Sequence, residues 1–396
     1  MTQTQTTKEN PPIVAICYDF DKTLTPTDMQ AQGFIQSLGF DVNKFWEESN
    51  GLADDNGMDQ NLAWMYMLTK AAEGNFYITK DKLREFGADV ALFPGVETWF
   101  ARIREYGKMH GIQVEHYIIS SGLKEIILGT SIAQEFEKIY ASSYYYNDKN
   151  VAVWPAQVVN YTDKTQFLFR IEKGVLDVND DKVNKYFPPH ELRVPFRNFI
   201  YIGDSDTDIP CMKLVNINGG HSIGVYNLDN LHDGDKPDKS KVFRMLEENR
   251  IRYFAPADYA AGSQLEVLIK SIIDQIKTRS ALEKVHYDCV EEKNRETESF
   301  SPQDKQRAFL IDSLGESTSY KNTHNIIREM TAIDKSEWTE ENFQEILDIP
   351  FFNSQVNSIL HDTEIAYFYK RLIVYRKAED NPKAQEILRR TQKPSE

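Results

Sequence analysis

Two acidic clusters hold the side chains best suited to chemistry. The first is Asp19-Phe20-Asp21-Lys22-Thr23, directly after the apolar run Ile13–Tyr18. A carboxylate at Asp19 can attack a phosphorus atom. A second one two residues on, Asp21, can protonate the leaving oxygen and then activate water. Carboxylates this close repel, so one tends to keep a proton, as a general acid must. The same five residues also fit a strand-end turn with solvated aspartates, so the D-x-D-x-T pattern alone does not decide. The second cluster is Gly203-Asp204-Ser205-Asp206-Thr207-Asp208. Asp204 and Asp208 can offer oxygens to a hard cation such as Mg2+. Its D-x-D-x-D spacing also opens a calcium loop, but that loop needs Gly at its sixth position and Glu at its twelfth. Ile209 and Val215 stand there, so the calcium reading fails.

Two weaker elements lie between the clusters. Ser120-Ser121-Gly122 ends the run His116–Ser120 and precedes a helix-like stretch. A hydroxyl there, with the free N–H groups of a helix start, can bind a phosphoryl oxygen. Serine is also a favoured helix cap in its own right. Lys164, in Tyr161-Thr162-Asp163-Lys164-Thr165, sits between two apolar stretches. It can neutralise a nucleophile and a phosphate together, or serve as a surface lysine.

Holding these residues together requires a scaffold, and the sequence suggests one. Short β-rich runs recur at Ile13–Tyr18, His116–Ser120, Phe199–Gly203, Ser222–Tyr226 and Ile251–Ala255. Helix-like stretches follow several of them, such as Leu123–Ile139 and Gln264–Lys277. That alternation predicts a three-layer α/β fold with a central parallel sheet. Ligands in such sheets bind at the carboxyl ends of the strands, where both acidic clusters fall. Residues 27–92 have apolar clusters at helical spacing and little strand signal, so they read as a helical insert closed by Phe93-Pro94-Gly95. Residues 171–195 read as a surface excursion and 228–241 as a polar loop. Residues 286–306 are charged and poor in aliphatics, as in a linker. Beyond them Ala308–Leu314, Trp338–Leu347 and Ile365–Tyr375 predict a helical C-terminal unit. The resulting division is a disordered 1–12, a core of 13–26 and 93–275, the insert 27–92, and a helical unit 276–396.

Composition narrows the function classes. The chain has 396 residues, 41% hydrophobic and 27% charged, which excludes disorder as its main state. Lys plus Arg number 46 against 61 Asp plus Glu, a net charge of −15. Without a basic patch, this argues against nucleic-acid binding. No apolar run approaches the ~20 residues of a membrane span, and the polar N-terminus shows no secretory signal. Cys17, Cys211 and Cys289 make neither a disulfide framework nor a metal pair, so a cytoplasmic setting is expected. The lone Asn160-Tyr161-Thr162 sequon then carries little weight. The patterns of nucleotide P-loops, dinucleotide folds and zincins are missing. Oligomeric state is left open.

Taken in order, Asp19–Thr23, Ser120, Lys164 and Gly203–Asp208 resemble the four motifs of the haloacid dehalogenase superfamily. The arrangement is similar to its phosphoserine-phosphatase-like branch, with a helical cap between the first two motifs. The resemblance covers roughly residues 13–275. It implies Asp19 as nucleophile through an aspartyl-phosphate, and Asp21 as acid and base. Ser120 and Lys164 would hold the phosphoryl group, with Thr23, Ser121 and Gly122 lining it. Mg2+ would be held by Asp19, the Asp21 backbone carbonyl and Asp204, with Asp208 supporting the metal or Lys164. Ser205 replaces a common glycine. Asp28 stands where the branch's phosphoserine enzymes place Glu in the cap, and Arg84 is the one arginine of residues 27–92, a candidate for a substrate carboxylate. That segment carries eleven acidic and five basic residues, which suits an amine-bearing phosphate or simply a solvated acidic face.

The expected activity is therefore Mg2+-dependent hydrolysis of a small phosphorylated metabolite. Phosphotransfer to another acceptor is one alternative. Another is a binding or scaffold role exerted through the C-terminal helices.

Overall fold

The structure is a computed structural model and describes residues 11–72, 77–189, 191–232, 236–297 and 301–392. The sheet strands are β1 (Ile13–Tyr18), β2 (Gln113–Leu123), β3 (Lys138–Tyr146), β4 (Ala152–Gln157), β5 (Phe199–Gly203) and β6 (His221–Tyr226). A small two-stranded pair, β7 (Leu231–His232) and β8 (Lys236–Pro237), precedes the last sheet strand, β9 (Tyr253–Pro256). The sheet order is β4-β3-β2-β1-β5-β6-β9. Its pairs are parallel except β3 with β4, a hairpin that the expected all-parallel sheet did not include.

The chain leaves β1 for β2 on one side and later returns to β5 on the other. Loops at the carboxyl ends of these strands diverge there, which opens a crevice for a ligand. Both faces are covered. Val14, Ile16 and Tyr18 point into one apolar layer, and Ala15 and Cys17 into the other, the period-two alternation of a strand buried on both sides.

Four helices follow β1: α1 (Phe34–Ser37), α2 (Val42–Asn56), α3 (Gln60–Ala72) and α4 (Lys80–Ala88). Then come α5 (Val96–Met109), α6 (Lys124–Ile127), α7 (Thr165–Lys173), α8 (Ile209–Ile217), α9 (Ser240–Glu247) and α10 (Gln264–Thr297). α5 buries Val96, Trp99, Phe100 and Ile103, and α10 buries Leu265, Ile269, Ile272, Ile273 and Ile276, all on one sheet face. α7, α8 and α9 cover the other.

The structure departs from the expectations at several points. The helix expected over Leu123–Ile139 shrinks to the single turn α6, because a Cβ at Gly129 would lie 2.0 Å from the Arg84 carbonyl oxygen. Backbone packing of α4 there requires glycine and breaks the helix. The linker expected over 286–306 is helical to Thr297, and α10 runs unbroken past the boundary expected at 276. Its charged run lacks an apolar face but keeps good helix formers. Most of the stretch 1–12 lies outside the described residues, although the Pro12 carbonyl is already paired to Gln113 N at 2.9 Å.

The chain divides into compact units Met1–Lys284 and Val285–Glu396. The second holds α11 (Pro302–Gly315), α12 (Tyr320–Ala332), α13 (Glu340–Phe352), α14 (Ser354–Ser358), α15 (Thr363–Arg376) and α16 (Pro382–Arg390). They close around Leu314, Ile327, Met330, Ile346 and Tyr369. No helix among the described residues is long and apolar enough to cross a membrane.

Candidate active site

The carboxyl ends of β1, β2 and β5 bring the acidic clusters together. Asp19 follows β1, and its amide donates to the Ile202 carbonyl of β5 at 2.9 Å, which fixes the loop's departure. Tyr18 stands in register with Ile118, so Ser120 lies two residues along the neighbouring strand. Lys164 comes from the short helical turn before α7 and is fully buried. Its Nζ donates to Asp19 Oδ1 at 3.1 Å and to Asp208 Oδ1 at 2.7 Å.

Asp208 is saturated by its own surroundings. Tyr201 OH donates to its Oδ1 at 2.9 Å, while Ser205 N and Oγ donate to its Oδ2 at 3.1 and 2.8 Å. An acceptor so occupied holds Lys164 in place, with little left for a cation. Tyr201 escaped the sequence reading because it is an inward residue of a buried strand, indistinguishable there from core. Tyr259, buried in the loop after the last sheet strand, escaped too, yet its hydroxyl donates to the Thr23 carbonyl at 2.8 Å and pins the first acidic loop.

Asp21 points toward the start of the helical insert. Its Oδ1 accepts from Met29 N at 2.6 Å. A Cβ at position 122 would meet Met29 Cε at 2.4 Å and Asp21 Oδ2 at 2.9 Å, so any larger residue there would have to displace both side chains. Gly122 N donates to Ser120 Oγ at 3.1 Å. Two hydroxyls, Thr23 Oγ1 and Ser121 Oγ, are buried without a hydrogen-bond partner. Buried polar groups left unpaired are costly, and here they line the loops that a phosphoryl group would enter.

The two expected substrate residues differ: Asp28 adds its charge beside Asp21, while Arg84 stands apart. Asp28 forms a half-exposed ion pair with Lys22 at 2.9 Å. Arg84 is exposed on α4, and its charge acts on Tyr146. Neither contacts the phosphoryl-side residues among the described hydrogen bonds and ion pairs.

The electrostatics express a shortage of positive charge. Burial pushes Asp19 up to about 7, and repulsion from Asp208 adds to this against the pull of Lys164. Burial likewise pushes Asp204 up to about 6. Asp21 is held well above the usual carboxylate range by burial, then by Asp28 and Asp19. Burial would lower Lys164, but Asp19 and Asp208 outweigh it and keep the ammonium charged.

Asp19, Asp204 and Asp208 each place one oxygen within 4.8 Å of the others. Lys164 pairs with Asp19 and Asp208 and Lys241 Nζ reaches Asp204 at 3.6 Å, so three carboxylates meet two cations and one negative charge is left over. With Asp208 occupied, the carboxylate oxygens of Asp19 and Asp204 beside that excess fit a hard dication.

The chain is similar to known proteins. Residues 16–213, half of the chain, match the family model of haloacid dehalogenase-like hydrolases. An uncharacterized protein of Borreliella burgdorferi is 29% identical over 281 residues, covering 64% of this chain and 94% of its own. Among solved structures, a HAD family hydrolase of Salmonella enterica serovar Typhi is 16% identical, with a TM-score of 0.40 over 63% of this chain and 68% of that one. A phosphoserine phosphatase with a phospho-aspartyl intermediate analogue is 13% identical, at a TM-score of 0.39 over 66% and 99%. A phosphoserine phosphohydrolase-like protein of Francisella tularensis is 17% identical, at 0.35 over 61% and 94%.

Proposed function

We propose that this chain, which belongs to the haloacid dehalogenase-like hydrolases, is a Mg2+-dependent phosphomonoesterase acting on a small phosphorylated metabolite. The observation that carries this reading is the convergence of Asp19, Asp204 and Asp208 at the carboxyl edge of the sheet, with buried Lys164 bonded to Asp19 and Asp208. Asp19, Asp204 and the Asp21 backbone carbonyl would hold Mg2+, which when bound neutralises charge on phosphoryl oxygens and on Asp19.

The protein's own groups account for the rest. An Asp19 carboxylate oxygen attacks phosphorus, and the bond from phosphorus to the ester oxygen breaks. Asp21, kept protonated by burial, gives its proton to that leaving oxygen. Asp21, now a carboxylate, takes a proton from water as the water attacks the aspartyl-phosphate. The bond to Asp19 then breaks and phosphate is free. Lys164 and Ser120, with Thr23, Ser121 and Gly122 around them, hold the phosphoryl oxygens, and Asp208 positions Lys164. Residues 27–92 act as a cap whose first turn, at Met29, lies against Asp21 and excludes bulk water.

A panel of phosphoserine, phosphoethanolamine, phosphocholine, sugar phosphates and nucleoside monophosphates tests this, read as phosphate release with Mg2+ or EDTA. Metal-dependent release from at least one small ester is the expected result. Silence across the panel by a folded, Mg2+-binding protein would overturn it.

A further inference from the structure

The helical insert and the active-site lysine meet at a joint that the reaction scheme leaves unused. Just before α3, Asp59 Oδ1 accepts from the amides of Asn61 and Leu62 at 2.8 and 3.1 Å, capping that helix. Its other oxygen, Oδ2, accepts from the Asn160 side-chain amide at 3.1 Å. Asn61 Nδ2 donates to the Val159 carbonyl at 2.8 Å, while Asn61 Oδ1 accepts from Trp64 Nε1 at 3.0 Å. A donor and an acceptor partner together fix the orientation of that amide. On the sheet side, Val159 N donates to Ser142 Oγ of β3 at 3.1 Å.

The amide side of this joint is buried, while Asp59 itself is exposed. Asn61 is 7% exposed, Asn160 6% and Val159 0%. The Asn160 carbonyl accepts from Asp163 N at 2.8 Å and starts the turn that ends in Lys164. Tyr161, inside that turn, has a φ of 36°, a left-handed backbone that a side-chain-bearing residue keeps only where its neighbours enforce it. Lifting α3 away would strand the two buried amides and free the turn. Unpaired buried polar groups oppose such a motion.

We propose that Asn61 and Asn160 are positioning residues that latch the insert to the Lys164 turn, so that the seated lysine and the closed insert are one state. The inference rests on the phosphatase reading above. With α3 down, Lys164 is held against Asp19; with α3 lifted, the turn loosens and the phosphoryl site is incomplete. Substrate binding would supply closure that a broken latch no longer does. Damage to the latch therefore raises KM more than it lowers kcat, since only the competent fraction binds tightly.

The test is a donor–acceptor swap in the full chain, with p-nitrophenyl phosphate and Mg2+ as probe. Asn160→Asp sets a carboxylate against Asp59, and kcat/KM is expected to fall about tenfold, the scale of a hydrogen bond to a charged group. The double variant Asp59→Asn/Asn160→Asp reverses donor and acceptor, and asparagine still caps α3. It is expected to recover most of the loss. Amide hydrogen exchange over residues 158–164 should rise in the single variant and return in the double, whether or not turnover is measured. If Asn160→Asp melts below the assay temperature, Asn61→Asp serves instead, since it keeps the acceptor for Trp64 but not the donor to Val159. Unchanged KM and exchange in a folded single variant, or a double variant no better than the single, would overturn the latch. A silent wild-type chain on every phosphate ester would instead overturn the phosphatase reading, with the exchange result still deciding the latch.

Discussion

The two compact units each contain a cluster of ionisable side chains, and the clusters are built differently. In Met1–Lys284, buried Asp19 and Asp208 share Lys164, the partly exposed Asp204 lies beside them, and burial forces the carboxyls of Asp19 and Asp204 upward. In Val285–Glu396, His324 bridges Glu364 at 2.8 Å and Asp362 at 3.1 Å, while Arg328 reaches Glu364 at 3.0 Å and His361 reaches Asp362 at 3.6 Å. There, hydrogen bonds from His324 and Arg328 hold Glu364 below the usual carboxylate range. For Asp362, burial acts upward but is outweighed by Tyr320 and His324. One cluster has fewer cations than carboxylates and buried hydroxyls without partners beside it; in the other, each carboxylate is hydrogen-bonded by its own neighbours. An unbalanced buried cluster points to a missing ligand, whereas a balanced one at a helix start is a joint between helices.

The sharpest break of this contrast is chemical. Asp19→Asn should reduce phosphate release by at least about 1,000-fold, because nothing else in the site can form the covalent intermediate. A modest loss would remove the first cluster's claim to special status. The next effect is on stability. Lys164→Met leaves Asp19 and Asp208 facing each other in the interior and should cost about 3–5 kcal/mol, read by hydrogen exchange of β1 and β5 amides. His324→Ala, read on α12 and α15 amides, should lose several-fold less protection, since its partners can turn to water. Equal losses would erase the distinction.

Smaller effects sharpen the division. A chain ended after Lys284 should keep kcat/KM within about threefold, because every proposed catalytic group lies in the first unit. Acid should also act on the first unit through His221, whose ring nitrogens are buried without partners. Burial lowers it to about 4, helped by Arg252 and Arg279, so the folded form refuses a proton that the unfolded chain accepts. The sign follows for this residue: the contribution of His221 to stability falls as pH drops from about 6.5 toward 4, by at most about 1.4 kcal/mol per pH unit. Compared with His221→Phe, the wild-type chain should lose ground across that window and match it above pH 7. Depressed carboxylates such as Glu364 act lower, losing their contribution only below about pH 4.

How much of this was legible follows from what each feature depends on. Five of the seven sheet strands, the three layers and the order of the acidic motifs could be read, because strand burial and turn chemistry are local signals; the β3–β4 hairpin was not. The cores of α11, α13 and α15 were legible from apolar spacing. α12 and α16 were not expected: Lys321-Asn322-Thr323-His324-Asn325 has poor helix formers, and α16 is short and charged. Even so, Asn381 followed by Pro382 is a cap-and-first-turn signal that could have revealed α16. Partners from distant strands stayed hidden. Tyr201 on Asp208, Met29 on Asp21 and Asn61 on Val159 depend on the assembled fold, and so does the exposed position of Arg84.

The central claim is that Asp19 carries the phosphoryl group. The most direct measurement is acid-quenched incubation with a phosphate-labelled ester and Mg2+, followed by peptide mass mapping. The account predicts one phosphoryl group on the peptide containing Asp19, absent with EDTA and absent in Asp19→Asn. Steady phosphate release with no label on the chain, or label on another residue, would contradict it.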